Sequence, residues 1–133
     1  MKTLHKFDLT CEKSGLYNIT PQVRQAISES GVKEGVCIVY CPHTTAGITI
    51  NENADEFVAK DVVFALNKVF PRFEEFRHDE GNSDGHVKSS VIGASENLII
   101  TDGKPLLGRW QDVYFAEFDP PRKRNFYVKI VEG

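Results

Sequence analysis

Gly35-Val36-Cys37-Ile38-Val39-Tyr40-Cys41, closed by Pro42, is apolar, rich in β-branched residues and too short for a typical helix. It therefore reads as a buried strand that stops where proline removes the backbone donor. On its N-terminal side, Thr20 followed by Pro21 is the signature of an N-cap and a first helical position. Val23, Ala26 and Ile27 then supply one apolar face before Gly31 stops the helix. On its C-terminal side, His43 to Asn51 has the composition of another strand, with Gly47 marking a bulge or a close backbone approach. Asn53 or Asp55 is the expected cap of a second helix. Val58, Val62, Ala65, Leu66 and Val69 form its stripe at helical spacing up to Pro71, expected to pack in the core.

The ends of the chain are β-rich. Thr3 to Thr10 reads as a first strand and Glu12-Lys13-Ser14-Gly15 as a turn. Leu98-Ile99-Ile100 and the alternating set Trp110, Asp112, Tyr114, Ala116 and Phe118 are expected to form a hairpin-like pair about Asp102-Gly103. Asp119-Pro120-Pro121-Arg122 breaks that strand, and Phe126, Val128 and Ile130 make the last one. A short helix capped by Ser83 or Asp84 would carry His86, Val87, Ser90 and Val91 as far as Gly93. The fold class is α+β in one domain over residues 1–133, with two principal helices, about Pro21–Ser30 and Asp55–Val69, packed on an antiparallel sheet.

With 133 residues, the chain can bury a single core without a disulfide framework. Its 16 Lys+Arg against 19 Asp+Glu give a net charge of -3, which argues against general affinity for nucleic acid or anionic membrane. No signal-peptide pattern and no stretch of about 20 apolar residues is present, so a cytoplasmic protein is expected. Cys37 and Cys41 would lie ~13 Å apart along one strand, too far for a disulfide. With Cys11 they are expected to be buried, reduced thiols.

Two constellations can carry chemistry. His78-Asp79-Glu80-Gly81-Asn82-Ser83-Asp84-Gly85-His86 holds two imidazoles, three carboxylates and two glycines, a composition for solvent, metal or ligand and not for a core. Together with His43 it offers three imidazoles beside polar or glycine-rich breaks, the donor type of an open metal site or, equally, of a solvated turn. The second is Trp110-Gln111-Asp112 with Glu117 to Arg124. Here Asp119 and Arg122 lie at a strand end, and an arginine fork suits a phosphate, while Arg122-Lys123-Arg124 reads alternatively as a solvated basic turn.

Four separated stretches in order, Pro42-His43-Thr44-Thr45-Ala46-Gly47 with Ile50-Asn51-Glu52, His78 to His86, Lys88 to Ser95, and Leu107 to Gln111 with Phe118 to Arg122, resemble the YjbQ family. The family commonly has glycine where this chain has Pro120, and an alanine-rich or histidine-bearing stretch where it has Ser83-Asp84-Gly85. The resemblance implies a sheet curled into a partial barrel, a homotrimer, and a divalent metal, zinc by donor type, on His43, His78 and His86. It also implies a secondary thiamine-phosphate synthase activity that couples a pyrimidine diphosphate to a thiazole phosphate with loss of pyrophosphate. Asp79, Glu80 and Arg122 are then the catalytic candidates, and Thr44, Thr45, Asn82, Gln111 and Asp119 the contacts to a small phosphorylated substrate. Two other functions are compatible with the same residues: a metal-dependent hydrolase with Asp79 or Glu80 as base, and a non-catalytic trimeric protein that binds a small anion.

Overall fold

A computed structural model describes residues 2–133. The expected strand at its centre is β3 (Gly35–Tyr40), and it lies in the middle of a five-stranded antiparallel sheet. Around it are β1 (Leu4–Cys11), β8 (Arg122–Glu132), β5 (Ser95–Thr101) and β6 (Lys104–Pro105), in the order β1-β8-β3-β5-β6. A three-stranded antiparallel sheet, β2 (Gly15–Asn18), β7 (Gln111–Glu117) and β4 (Ala46–Glu52), runs in the order β2-β7-β4. The strands curl as a half-barrel against three helices, α1 (Thr20–Ser30), α2 (Glu56–Val69) and α3 (Ser83–Ile92). The α+β class and the two principal helices are as the sequence predicts, and α3 is the short third helix.

The core lies between the sheets and α1. Cys37 and Val39 of β3, Leu98 and Ile100 of β5, and Phe126, Val128 and Ile130 of β8 meet Ala46 and Ile48 of β4, Val113 and Phe115 of β7, and Val23, Ala26 and Ile27 of α1. All three cysteines are free and buried. Asp55 caps α2, its carboxylate accepting from Phe57 N at 2.9 Å.

Several expectations change. β3 is buried on one face only: Val36, Ile38 and Tyr40 alternate outward because the side-chain period of a strand is two and only one face of this sheet meets the core. The α2 stripe is not core packing, since no residue of that helix is fully buried; the helix lies over the short β2, which is too small to cover it. Ile19, not Thr20, occupies the cap position of α1. The buried Thr20 hydroxyl instead accepts from Val113 N at 2.8 Å, satisfying β7 where β2 leaves it. Asn82, not Ser83 or Asp84, stands at the cap position of α3. Finally, Asp102-Gly103, both at positive φ as a tight hairpin turn requires, joins β5 to β6; β7 belongs to the other sheet and does not pair with β5.

Gly47 is a close backbone approach, as expected. A Cβ there would sit 2.6 Å from Gly93 O and 3.1 Å from Ile92 Cγ2, at the end of α3. Gly47→Ala is therefore expected to push α3 off β4 and lose about 1–3 kcal/mol, lowering Tm by roughly 3–10 °C. Gly15→Ala, whose Cβ would meet nothing nearer than Tyr17 at 4.0 Å, is the control. Equal thermal midpoints for the two variants would show that the contact relaxes without cost.

Candidate functional site

Three segments converge at one end of the molecule: the loop between β3 and β4, the stretch from the loop after α2 into the first turn of α3, and the start of β8. They line a cavity of about 410 Å³ with His43, Thr44 and Thr45 from the first, His78, Glu80, Asn82 and His86 from the second, and Arg122 and Arg124 from the third.

His43 is placed by the proline that ends β3. Continuing the register from Tyr40↔Tyr127 puts Pro42 opposite Asn125, and Pro42 has no N–H to offer. Both backbone groups of an antiparallel residue face the same neighbour, and here the imidazole replaces the missing strand. His43 Nε2 lies 3.0 Å from Asn125 N and 3.1 Å from Asn125 O, accepting from the first in one tautomer and donating to the second in the other. Burial, then the nearby Arg124 charge, pushes the His43 pKa below its ordinary value, so the ring is neutral at pH 7.

The glycine-rich loop uses its two glycines differently. Gly81 has φ +70 and donates to His78 O at 3.1 Å, closing the turn. Gly85 is helical and buried, and a Cβ on it would lie 3.1 Å from Phe118 O and 3.4 Å from Thr45 Cγ2. Its absent side chain brings the first turn of α3 against the end of β7. His86 thereby reaches His78, with ring centroids 5.1 Å apart and planes at 85°.

Behind the cavity is a buried network that sequence reasoning missed. Arg124 donates from Nε and Nη2 to the two Glu117 oxygens at 2.7 and 2.6 Å, and from Nη2 to Thr45 Oγ1 at 2.8 Å. Glu117 Oε2 also accepts from Asp119 N at 2.8 Å. Asp119 Oδ2 accepts from Arg122 Nη2 at 2.7 Å and from Asn82 Nδ2 at 2.8 Å, leaving Asn82 Oδ1 buried with no partner among the described residues. The basic run is thus split: Arg124 is buried, Arg122 is half-exposed at the cavity, and Lys123 is exposed. Arg124 shares strand parity with Phe126, Val128 and Ile130, the signal that could have found it.

The structure brings His43, His78, His86, Thr44, Thr45, Glu80, Asn82 and Arg122 to this cavity, with Asp119 directly behind it. Asp79 is exposed and outside the lining, and Gln111 lies at the opposite end of β7, where its Oε1 accepts from Gly108 N at 2.7 Å. Among the described residues no three His, Cys, Asp or Glu side chains are arranged to hold one metal ion. The three imidazoles share a cavity, but the coordination sphere expected of them is not formed. Burial and then the Glu117 charge push the Cys11 thiol pKa up to about 12, and burial pushes that of Cys37 up to about 11.

Burial alone would raise the Asp119 carboxyl, but the hydrogen bonds from Asn82 and Arg122 and the charges of Arg122 and Arg124 outweigh it and hold the pKa below its ordinary value. The unfolded chain then binds this proton more readily than the folded one. The stabilisation is complete above the ordinary Asp value of about 3.9 and is lost as pH falls through the lower folded value. Asp119→Asn is expected to flatten the acid limb of stability against pH, read by urea unfolding from about pH 2 to 6. An unchanged slope would show that the pairing contributes nothing to folding.

The sequence matches the family model described as "UPF0047 protein YjbQ-like" over residues 5–133. The chain is 54% identical to the UPF0047 protein MJ1081 of Methanocaldococcus jannaschii over 132 residues, 98% of this chain and 96% of that one. It is 46% identical to the UPF0047 protein YugU of Bacillus subtilis, over 92% and 93% of the two chains. Among solved structures, an uncharacterised conserved protein of the YjbQ/UPF0047 family from Clostridium acetobutylicum superposes with a TM-score of 0.93 at 48% identity, covering 96% of this chain and 99% of that one. The buried network and the cavity are thus set on the framework of a known group of proteins, and this chain belongs to the YjbQ/UPF0047 family.

Proposed function

We propose that the cavity binds the phosphate of a small phosphorylated substrate and that the protein is an enzyme acting on it. Thiamine-phosphate synthesis is the nameable reaction. The observation that supports this is the gathering of Arg122, Arg124, Asn82, Thr44 and three imidazoles around one opening. In a coupling of a pyrimidine diphosphate to a thiazole phosphate, the thiazole ring nitrogen gives its lone pair to the pyrimidine methylene carbon, and the carbon–oxygen bond to the diphosphate breaks with its electron pair leaving on pyrophosphate. Arginine donors held in place by carboxylates would stabilise that charge. In the hydrolase alternative Glu80, which lines the cavity, is better placed than Asp79 to be the base that activates water. Because the histidines are not set around one point, no step here runs through a metal. A divalent ion such as zinc on His43, His78 and His86 remains a separate proposal, supported by the donor type and their shared cavity. Elemental analysis of freshly purified protein tests it, with stoichiometric zinc the supporting result. Buried reduced thiols fit a reducing compartment, and we place the protein in the cytoplasm.

The homotrimer is proposed on the outer face of the five-stranded sheet. Ile99, Val36 and Val131 form one cross-strand row there, beside Ile38, Tyr40 and Leu4, all exposed in the single chain. Val36→Lys with Ile38→Lys is expected to convert a trimer to monomers in light scattering. A wild-type protein that is already monomeric would remove this proposal and favour a single-chain binder.

Arg122→Ala is expected to weaken phosphate-dependent binding or turnover about ten- to a hundredfold, the scale of a charge-assisted hydrogen bond. Arg122→Lys should recover part of it, keeping the charge without the planar fork. Thermal stability should hardly move, because Arg122 is half-exposed. Coupling, hydrolysis and binding assays run in parallel separate the three functions: synthase product, released phosphate, or bound substrate recovered unchanged. Unaltered binding and turnover in both variants would return Arg122 to a surface role.

A further inference from the structure

The arginine-bearing cavity has a neighbour at His43 and His86. A second lobe of about 380 Å³ adjoins it, sharing His43, Thr44 and His86 with the first and lined otherwise by Ser89, Ser90, Gly93 and Ala94. The two lobes differ in chemistry. The first carries both arginines and Glu80. The second has no arginine, lysine or carboxylate among its lining residues, and its two serine hydroxyls are already engaged, Ser89 Oγ donating to Ala46 O at 2.7 Å and Ser90 Oγ to His86 O at 3.0 Å. What it offers a ligand is backbone at the end of α3, small side chains and the flank of two imidazoles. Its shape is built in, because Gly93 sits at φ +99 and its carbonyl accepts from Ile48 N at 3.1 Å, while Ala94 O accepts from Cys41 N at 2.7 Å. Both volumes lie within the range of about 300–1,000 Å³ typical of small-molecule sites.

We infer that the lobe at Ser90–Ala94 is a second subsite, one that takes the compact uncharged organic group of a phosphate monoester whose phosphate occupies the first. This rests on the phosphate reading above and adds to it where the rest of the molecule goes and which residues select it. Inorganic phosphate should fill the first lobe alone. A monoester such as phenyl phosphate should fill both and gain affinity from the apolar surface it buries.

The experiment is calorimetric titration of the full chain with inorganic phosphate and with phenyl phosphate, accompanied by amide NMR shifts. Wild-type protein should bind phenyl phosphate about ten- to fiftyfold more tightly, with the Ser90, Gly93 and Ala94 amides shifting only for the monoester. Ser90→Trp fills the lobe from an exposed helical position, so it should abolish that gain and leave inorganic phosphate binding unchanged. Ala94→Leu, also at an exposed position, is the second variant and should reduce the gain. Equal affinity for the two probes in wild-type protein, or a gain that survives both substitutions, overturns the subsite while the phosphate reading stands. If neither probe binds, the phosphate reading fails and the subsite with it.

Discussion

The arrangement on which the rest of the site depends is the Glu117–Arg124 pair, two opposite charges almost wholly out of water. Taking a carboxylate and a guanidinium from solvent costs several kcal/mol per ion, and their attraction offsets this only when geometry and hydrogen bonding are both good. Both conditions are met. The fork is two-pronged, Thr45 takes a further guanidinium N–H, and Asp119 N gives the carboxylate another donor. Removing either partner alone would leave the other charge buried and uncompensated, at a cost of about 3–5 kcal/mol. β7 and β8 lie in different sheets, and this contact locks the end of one to the start of the other with the β3–β4 loop between them.

From that lock the cavity follows by steps. Asp119, held through its N–H, presents its carboxylate to Arg122 and Asn82. Asn82 stands at the start of α3, whose buried Gly85 lets the helix approach Thr45 and carry His86 to the opening. His43 arrives independently, as the donor–acceptor substitute for a strand that Pro42 has ended. His43, Thr45, Asn82, Arg122 and Arg124 thus each have a partner that fixes their orientation, which is what a binding site requires of its supporting shell.

Much of this was legible in the sequence where local rules decide. The strand at Gly35–Tyr40, the stop at Gly31, the cap at Asp55 and the close approach at Gly47 all follow from periodicity, turn chemistry or proline. The failures are tertiary. Val58, Val62 and Leu66 repeat at helical spacing however much covers them, so periodicity located α2 but not that its stripe is only half-buried. Leu98-Ile99-Ile100 and β7 both read as strands, yet nothing local says that they belong to different sheets. At the site, the histidines were visible as chemistry beside flexible breaks, and the structure does bring them to one cavity. Arg124 was hidden by its neighbours Arg122 and Lys123, which made a basic run look uniformly solvated. The alternation Arg124, Phe126, Val128, Ile130 carried the missing information.

The same network sets the charge balance of the cavity. Arg124 is matched by Glu117, Arg122 by Asp119, and His43 is neutral at pH 7, so the opening does not act as a reservoir of uncompensated positive charge. Long-range attraction would be screened within about a Debye length in any case. What remains is a set of donors whose directions are fixed by the carboxylates behind them, in a setting where reorientation is costly and an ill-fitting group leaves donors unpaired. Selectivity of this kind depends on where acceptor oxygens lie more than on how much charge they bear. On the phosphate reading, a phosphate with several acceptors at fixed angles can meet that pattern, whereas a spherical halide cannot.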